Sequence, residues 1–275
     1  MTLKQEKQQK DKSNGAQSLI TIGAQAVGGA IGAGAGFLLG GPLGAAAGGA
    51  GSALFTQALD NVGQDIQRRL ISPGELRRVG VAMWYASLAI RSRLNNGQKI
   101  RTDDFFQQQP DDRAAANEVL EHVLLAAQRD PQEKKLKYYG NLLAAFPFVP
   151  TISRADANLL VRRAEELSYR QLCLLSLLTR RDVFSLRRRD YRGAPISSAL
   201  EPLLQEIIDL NNIGMVILSQ NDTYNAGETA QLFAGTSTVR PARMFVVGTG
   251  TMLYDLMELH GIPFDELNEI AADLQ

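Results

Sequence analysis

The chain has 275 residues, with 29 basic and 29 acidic side chains and a single cysteine. This length leaves room for about two domains. The balanced charge gives no global field that would point to nucleic acid or to acidic membranes, and Cys173 alone excludes an internal disulfide framework. Cys173 lies in an apolar segment, which predicts a buried structural thiol. The two histidines, His122 and His260, are too few and too isolated for a histidine-based metal site.

Enzymatic signatures are missing from the sequence. It contains no P-loop, nucleophile elbow or zinc-site spacing. The acidic pairs Asp103-Asp104 and Asp111-Asp112 lie in a polar stretch, TDDFFQQQPDDR. We interpret them as solvated loop charges and not as a general acid and base. We therefore predict a protein that is not an enzyme and that needs no cofactor or metal.

The N-terminal part combines a polar, mostly cationic tail, residues 1–12, with a run of residues 13–59 that has no charge. We call the second segment the uncharged run. Glycine recurs within it at every fourth position, and we call this series the glycine ladder: Gly28, Gly32, Gly36, Gly40, Gly44 and Gly48. In water each interior glycine costs a helix about 1 kcal/mol relative to alanine. The ladder therefore needs a solvent or a partner that makes its spacing favourable.

Three interpretations of the uncharged run differ in what they require. A signal peptide needs a denser apolar core and a shorter glycine-alanine stretch. A disordered linker favours glycine with serine, proline and charge, whereas this run contains many aliphatic residues and two phenylalanines. A membrane element fits the length best, because a single helix would be roughly 70 Å long and two helices of about 20 residues would each span the hydrocarbon core.

A helical hairpin follows from the break at residues 40–42. Pro42 removes a backbone donor and crowds the preceding helical turn, so the sequence GGP is expected to separate the two helices. A hairpin returns both ends to the same side of the membrane. The basic tail and the arginines Arg68 and Arg69 would then both be cytoplasmic, as the positive-inside rule requires.

The helical wheel gives the first span two different faces. Four aliphatic residues fall in one narrow arc: Ile20, Val27, Ile31 and Leu38. Opposite them lie Gln25, Gly29, Gly32, Gly36 and Gly40, a small face that allows another backbone to approach closely. The apolar residues contribute about −4 to −7 kcal/mol, which is marginal for insertion of one copy. We therefore predict insertion coupled to self-association, with the glycine ladder and Gln25 as the oligomerisation and pore-lining face.

The body, residues 72–194, is predicted to be a multi-helix bundle. Its first helix begins at SPGE, where Ser72 and Glu75 form a capping box and Pro73 suits the first helical position. An apolar stripe of Leu76, Val79, Met83, Ala86, Ile90 and Leu94 follows, and the helix is expected to end at residues 95–97. Trp84 and Tyr85 lie off this stripe, and we interpret them as packing residues. Further helices are expected at residues 114–129, 131–146, 153–168 and 169–186.

Residues 195–275 change character. A helix leads to the strand GMVILSQ, a loop-rich stretch, the strand RMFVVGT and a final helical region. The order of helix, strand, loop, strand and helix resembles a winged-helix module. The predicted fold is therefore mainly α, with a transmembrane hairpin, a helical body and a small α+β winged-helix-like module.

A basic cluster, RRDVFSLRRRDYR, connects the body to this module. It contains Arg180, Arg181, Arg187, Arg188, Arg189 and Arg192, together with the aromatic residue Tyr191. Arginine binds phosphate oxygens bidentately, and aromatic rings stack on bases, so these residues are the predicted ligand or nucleic-acid site. The alternative is a solvated helix end whose arginines pair with carboxylates. Lys134, Lys135 and Lys137 are a second-choice ligand site, because they lie on different faces of the helix and do not form one cluster.

The layout of basic tail, glycine ladder, helical body and possible sensor module resembles the membrane effectors of bacterial anti-phage defence. It is most similar in organisation and size to the effector of the Hailong system, without a shared motif. The resemblance implies a homo-oligomeric ion channel of the bacterial inner membrane with a cytoplasmic body, for which a tetramer is a candidate state. It also implies a channel held shut by a single-stranded DNA oligomer, which a partner nucleotidyltransferase makes, and a role in abortive infection.

Two other functions remain open at this point. The chain could be a winged-helix DNA-binding regulator, soluble or tethered to a membrane. It could also be a structural membrane protein in which the glycine ladder serves only as an anchor.

Overall fold

A computed structural model describes residues 72–108, 110, 112–219 and 235–275, together with eight helical residues between positions 54 and 66. The basic tail, the glycine ladder and the break at residues 40–42 lie outside the described residues, so the hairpin stays a prediction. The described residues form eight α-helices and one two-stranded antiparallel sheet. The prediction of a mainly helical fold is therefore confirmed for this part of the chain.

The chain divides into two compact units on either side of the bond between Glu165 and Glu166. The sequence interpretation placed its boundary later, between residues 194 and 195. The helix that contains Cys173 and the basic cluster that follows it belong, by packing, to the C-terminal unit.

The N-terminal unit contains four helices: α1 (Pro73–Asn95), α2 (Ala115–Arg129), α3 (Leu136–Ala145) and α4 (Arg154–Glu166). The predicted capping box of α1 is confirmed. The Ser72 hydroxyl accepts a hydrogen bond from the backbone N–H of Glu75, and the Glu75 carboxylate accepts one from the backbone N–H of Ser72 at 2.7 Å. Two of the unpaired donors at the start of the helix are satisfied in this way.

Helix α1 packs against α3 along a face that includes Val79, Ala82, Ala86 and Ile90, all buried. Three members of the predicted apolar stripe, Leu76, Met83 and Leu94, are only half-buried. Small residues replace them at the interface because the two backbones are very close. A Cβ atom added to Gly140 would lie 2.5 Å from the Ala82 carbonyl oxygen.

The segment before α2 is fixed by the buried side chain of Arg101. Its guanidinium donates to the Asp103 carboxylate, with Nε 2.7 Å from Oδ1, and to the backbone carbonyl oxygens of Val149, Pro150 and Ile152. These bonds join two loops that are about 50 positions apart in the sequence. A buried guanidinium requires such partners, because an unpaired charge away from water is very costly.

One described member of each acidic pair, Asp103 and Asp112, is therefore not simply a solvated loop charge, as the sequence suggested. The Arg101 hydrogen bonds hold the pKa of the Asp103 carboxyl below its usual range. Asp112 forms an ion pair with Arg154, which also contacts Glu118 on α2. Asp112 therefore bonds to a residue remote in sequence, whereas Asp103 pairs with Arg101 two positions away, whose guanidinium in turn reaches the remote carbonyl groups.

The C-terminal unit contains α5 (Tyr169–Thr179), α6 (Leu200–Asn212), β1 (Val216–Leu218), β2 (Met244–Val246), α7 (Thr249–Leu256) and α8 (Phe264–Asp273). The two strands are antiparallel, with Val216 opposite Val246 and Leu218 opposite Met244. Cys173 on α5 is 2% exposed, which confirms the prediction of a buried thiol.

Helix α5 is shorter than predicted. We expected a helix over residues 169–186, but α5 ends at Thr179 and a 3₁₀ turn, Arg181–Val183, follows it. The chain then becomes extended, Phe184 stacks on Phe264 with ring centroids 5.1 Å apart, and Leu186 is buried. Burial of Leu186 and stacking of the half-buried Phe184 on Phe264 of α8 outweigh continuation of the helix.

Replacement of Gly140 by alanine should destabilise the N-terminal unit. The new methyl group would meet the Ala82 carbonyl oxygen at 2.5 Å and the Ala86 backbone nitrogen at 2.9 Å, and neither backbone atom can move alone. We expect a loss of about 1–3 kcal/mol of unfolding free energy in urea titrations. Gly74→Ala on α1 is the control, because its nearest neighbour is 3.9 Å away. Equal stability of the two variants would contradict close backbone contact between α1 and α3.

Asp103→Asn should remove part of the acid sensitivity of the same unit. Because the folded pKa of Asp103 is lowered, its contribution is fully present above the unfolded pKa and is lost as pH falls through the folded pKa. We expect a loss of about 1 kcal/mol at pH 7, since the carboxylate is partly exposed, and a smaller difference near pH 2. Urea titrations at both pH values measure it. Asp104→Asn is the control, because Asp104 makes no hydrogen bond to Arg101; an equal effect of the two substitutions would refute the assignment.

Candidate functional site

The predicted basic cluster forms an anchored loop that we call the arginine loop, residues 180–192. Three backbone hydrogen bonds fix its second half to distant parts of the C-terminal unit. The Arg187 N–H donates to the Leu274 carbonyl oxygen at 2.8 Å, the Tyr191 N–H donates to that of Ser237 at 2.8 Å, and the Ala242 N–H donates to that of Arg187 at 3.0 Å. The loop therefore presents its side chains from a defined backbone.

Two of the six predicted arginines are used inside the fold. Arg180 donates to the Ser176 hydroxyl at 2.8 Å and to the His260 carbonyl oxygen at 3.3 Å. The Arg181 guanidinium lies 3.7 Å from the centroid of the Phe245 ring, and only 19% of its side chain is exposed. This geometry is typical of a cation–π contact that holds the loop on β2. Neither arginine is in a position typical of phosphate binding.

Arg187 and Tyr191 also serve the loop itself. The Arg187 guanidinium donates to the Asp190 carbonyl oxygen and lies 4.7 Å from the centroid of the Tyr191 ring. Tyr191 is 3% exposed, and burial raises the pKa of its hydroxyl. The ring is therefore covered by protein and does not present a face on which a base could stack. The structure does not support the predicted stacking role of Tyr191.

The remaining three arginines, Arg188, Arg189 and Arg192, are exposed. Arg192 donates to the Asp190 carboxylate at 2.7 Å, and Arg240 approaches the same oxygen at 3.5 Å. The hydrogen bond from Arg192 holds the pKa of Asp190 below its usual range, so this carboxyl is ionised at neutral pH. The structure thus places Asp190 between two guanidinium groups and leaves Arg188 and Arg189 beside them along the loop.

Sequence reasoning missed Arg240. It is about 50 positions from Asp190 in the chain and lies outside any basic cluster. Its context, TVRPAR, gives no pattern that predicts a ligand role. The candidate anion site is therefore Arg188, Arg189, Arg192 and Arg240. Several guanidinium groups within one unit suit a ligand with more than one phosphate, since each group can donate two parallel hydrogen bonds.

The second-choice lysine site is divided by the fold, because Lys134 is exposed and Lys137 half-buried but Lys135 is buried. Lys135 is 1% exposed, and its ammonium lies 2.5 Å from the Asp130 carboxylate, which also accepts a hydrogen bond from Tyr139 at 2.8 Å. Burial lowers the pKa of Lys135. The Lys135 and Tyr139 side chains also donate to backbone carbonyl oxygens of Glu165 and Ala164 at the end of α4. This buried network fixes the C-terminal end of α4.

A further polar cluster joins α2 to α4. Asn158 donates to the Glu118 carboxylate at 2.6 Å, and its amide oxygen lies 3.0 Å from His122 Nδ1. The ion pair with Arg154 lowers the pKa of Glu118. Within the part of the chain that the structure describes, no three or more histidine, cysteine or carboxylate side chains are arranged to hold a metal ion. None of the helices in this part is both long and apolar enough to cross a bilayer.

No protein-family model, no curated protein and no solved structure matches this chain. The case for a function therefore depends on the residues and their geometry.

The double substitution Arg188→Gln/Arg189→Gln should weaken binding of a short single-stranded DNA to the full-length chain by about tenfold at physiological salt. It should also reduce the slope of log K against log salt concentration by about 1.4, since each lost phosphate contact on single strands accounts for about 0.7. Fluorescence anisotropy of a labelled oligonucleotide across salt concentrations measures both quantities.

The matched control is Arg170→Gln. Arg170 belongs to the same unit, is exposed, and pairs with Glu206 near the opposite end of α5 from the arginine loop. The control should leave affinity and slope unchanged. If the two variants lose affinity equally, binding reflects overall charge and not a site in the arginine loop.

Proposed function

We propose that this protein is a homo-oligomeric membrane pore or ion channel whose opening is controlled by a ligand bound to its helical body. The uncharged run forms the pore, and the arginine loop binds the ligand. The cell is bacterial, the pore lies in the inner membrane, and its opening serves defence against phage. The last three points come from the resemblance to anti-phage effectors.

The observation that best supports this proposal is the end of the uncharged run. Phe55 and Ala58, which belong to the run, are helical and buried, and Val62 and Ile66 continue the same face at helical spacing. The Phe55 ring lies 5.8 Å from that of Phe106. The described end of the uncharged run is therefore held on the N-terminal unit by packing, as well as by the chain.

The Phe55–Phe106 contact adjoins the segment that the hydrogen bonds of Arg101 hold in place. Phe106 packs edge-on against Phe105 with ring centroids 5.4 Å apart, and the Arg101 guanidinium lies 4.2 Å from the Phe105 ring centroid. A rigid attachment of this kind is what a gated pore needs, because a rearrangement of the body can then move the membrane segment. A flexible tether would not transmit such a change.

The ligand acts by its differential affinity for the closed and open states. A single-stranded DNA oligomer made by a partner nucleotidyltransferase is the ligand that the resemblance suggests, and its phosphates suit Arg188, Arg189, Arg192 and Arg240. Asp190 competes with the ligand for two of these arginines. Binding must therefore compensate for the lost ion pairs, which favours a ligand with several phosphates over a single anion.

The pore is tested by placing the same substitution on two faces of the first span. Gly36→Leu puts a bulky side chain on the ladder face and should abolish ion leakage, because the helices can no longer approach closely. Gly34→Leu puts it on the aliphatic arc, where it faces lipid and should leave leakage intact. Dye-monitored ion flux from vesicles reconstituted with the full-length chain measures both variants.

Three results would distinguish the alternatives. Ion-tight vesicles that nevertheless contain the wild-type protein would indicate an anchor and not a pore. Equal leakage from the Gly36 and Gly34 variants would remove the glycine ladder from the pore. Protein that stays entirely outside the vesicles, with or without the oligonucleotide, would refute the membrane proposal.

A second candidate function is duplex DNA binding by the C-terminal unit. The antiparallel pair β1–β2 between helices α6 and α7 favours it, because this order agrees with a winged-helix-like arrangement. Titration with a DNA duplex distinguishes the two functions. A steep fall in duplex affinity with salt, stronger than for a single strand, would favour the regulator.

A further inference from the structure

The side of α1 that faces away from α3 carries a straight line of residues that we call the outer stripe: Arg77, Val81, Trp84, Leu88 and Arg91. Their spacing of four, three, four and three positions places them on one helical face. Leu88 is 43% exposed, and the Arg77 side chain is also 43% exposed. Val81 and Trp84 are half-buried, and Arg91 is exposed. The stripe therefore has an apolar centre with an arginine at each end.

The charge of α1 is one-sided. Its sequence contains four arginines, Arg77, Arg78, Arg91 and Arg93, and one carboxylate, that of Glu75. Glu75 is engaged at the start of the helix through the capping box. Glu133, in the 3₁₀ turn before α3, pairs with Arg77, but an exposed pair of this kind contributes little and is easily exchanged. The outer stripe itself contains no carboxylate.

These features fit a surface that is apolar within and negatively charged outside. Arginines at both ends of the stripe, about 21 Å apart along the helix, suit anionic headgroups, and their stems can remain along apolar surface. Tryptophan is enriched at the boundary between headgroups and acyl chains because its ring is apolar and its N–H is polar. The three apolar side chains between the arginines can then enter this boundary.

Helix α1 follows the uncharged run closely in the chain, which would keep it near the membrane surface. It begins 14 positions after the end of the uncharged run, a distance of at most about 50 Å even when fully extended. We propose that the outer stripe of α1 lies on the anionic lipid surface of the membrane that the uncharged run enters. This inference rests on the proposed function, since the membrane segment supplies the local concentration of lipid.

Trp84 is the only tryptophan in the chain, so its fluorescence reports on the outer stripe alone. The full-length protein is mixed with vesicles of phosphatidylcholine, with or without phosphatidylglycerol, in which part of the lipid carries brominated acyl chains. We expect anionic brominated vesicles to quench Trp84 about twofold, and neutral vesicles to quench it much less. Higher salt should reduce the difference.

Leu88→Glu should reduce this quenching by at least half, because it places a carboxylate at the centre of the outer stripe. Met252→Glu is the matched control, since Met252 is also an exposed apolar residue, at 37%, but belongs to the other unit and lies outside the arginine loop. Arg91→Gln should weaken quenching only in anionic vesicles. Leu88 and Arg91 are both exposed, so folding should be unaffected, and circular dichroism checks this.

The outcomes separate the inference from the proposed pore. Vesicles that leak ions while Trp84 stays unquenched would overturn the outer stripe and leave the pore intact. Quenching in anionic vesicles that remain ion-tight would support the stripe and overturn the pore. A blue shift of Trp84 that grows with protein concentration in the absence of lipid would identify the stripe as a contact between copies and overturn its assignment to lipid. Equal quenching in neutral and anionic vesicles would also overturn the inference.

Discussion

The buried guanidinium of Arg101 is the constraint on which the N-terminal unit depends. A planar, permanently charged group can be buried only where its donors meet acceptors, and here Asp103 and three backbone carbonyl oxygens supply them. These bonds fix the segment that holds Phe105 and Phe106. Phe106 in turn contacts Phe55, the last aromatic residue of the uncharged run. The hydrogen-bonding requirement of the buried Arg101 guanidinium therefore fixes Phe106, which contacts the end of the uncharged run.

Several arginines of the C-terminal unit also need partners for their guanidinium groups, but here these contacts hold a loop and not a segment next to the uncharged run. Arg180 and Arg187 are committed to backbone carbonyl oxygens, and Arg181 is committed to an aromatic ring. Their role is to hold an extended loop that lacks regular hydrogen bonding of its own. The guanidinium groups that face solvent are then only half of the cluster, those of Arg188, Arg189 and Arg192. In a run of arginines, some side chains are used for hydrogen bonds and ring contacts within the fold. Only the arginines that remain exposed are candidates for a ligand site.

The sequence was informative where structure is determined locally. The capping box at Ser72, the start of α1 and the bounds of α2 depend on residues within a few positions of one another, and the structure agrees with all three. Contacts between remote residues were missed. The Asp103–Arg101 pair depends on carbonyl groups some 50 positions away, the end of α5 depends on Phe264, and Arg240 reaches Asp190 from another segment. None of these partners produces a periodic pattern, so propensity and spacing could not find them. The same limit explains Tyr191, whose burial depends on tertiary packing.

The position of Asp190 sets a condition on any anionic ligand of the arginine loop. In the free protein its carboxylate neutralises Arg192 and lies near Arg240, so a ligand must replace interactions that already exist. A single phosphate would exchange one anion for another with little gain. The proposed ligand, with several linked phosphates, would contact Arg188 and Arg189 as well, and the additional contacts would follow without a second loss of translational freedom. In the proposed function, the loop would therefore discriminate by the number and spacing of charges, which is the property required of a sensor that must ignore the abundant simple anions of a cell. Because a gate responds only to differential affinity, the proposed ligand would stabilise the state in which these four guanidinium groups best match its phosphate spacing.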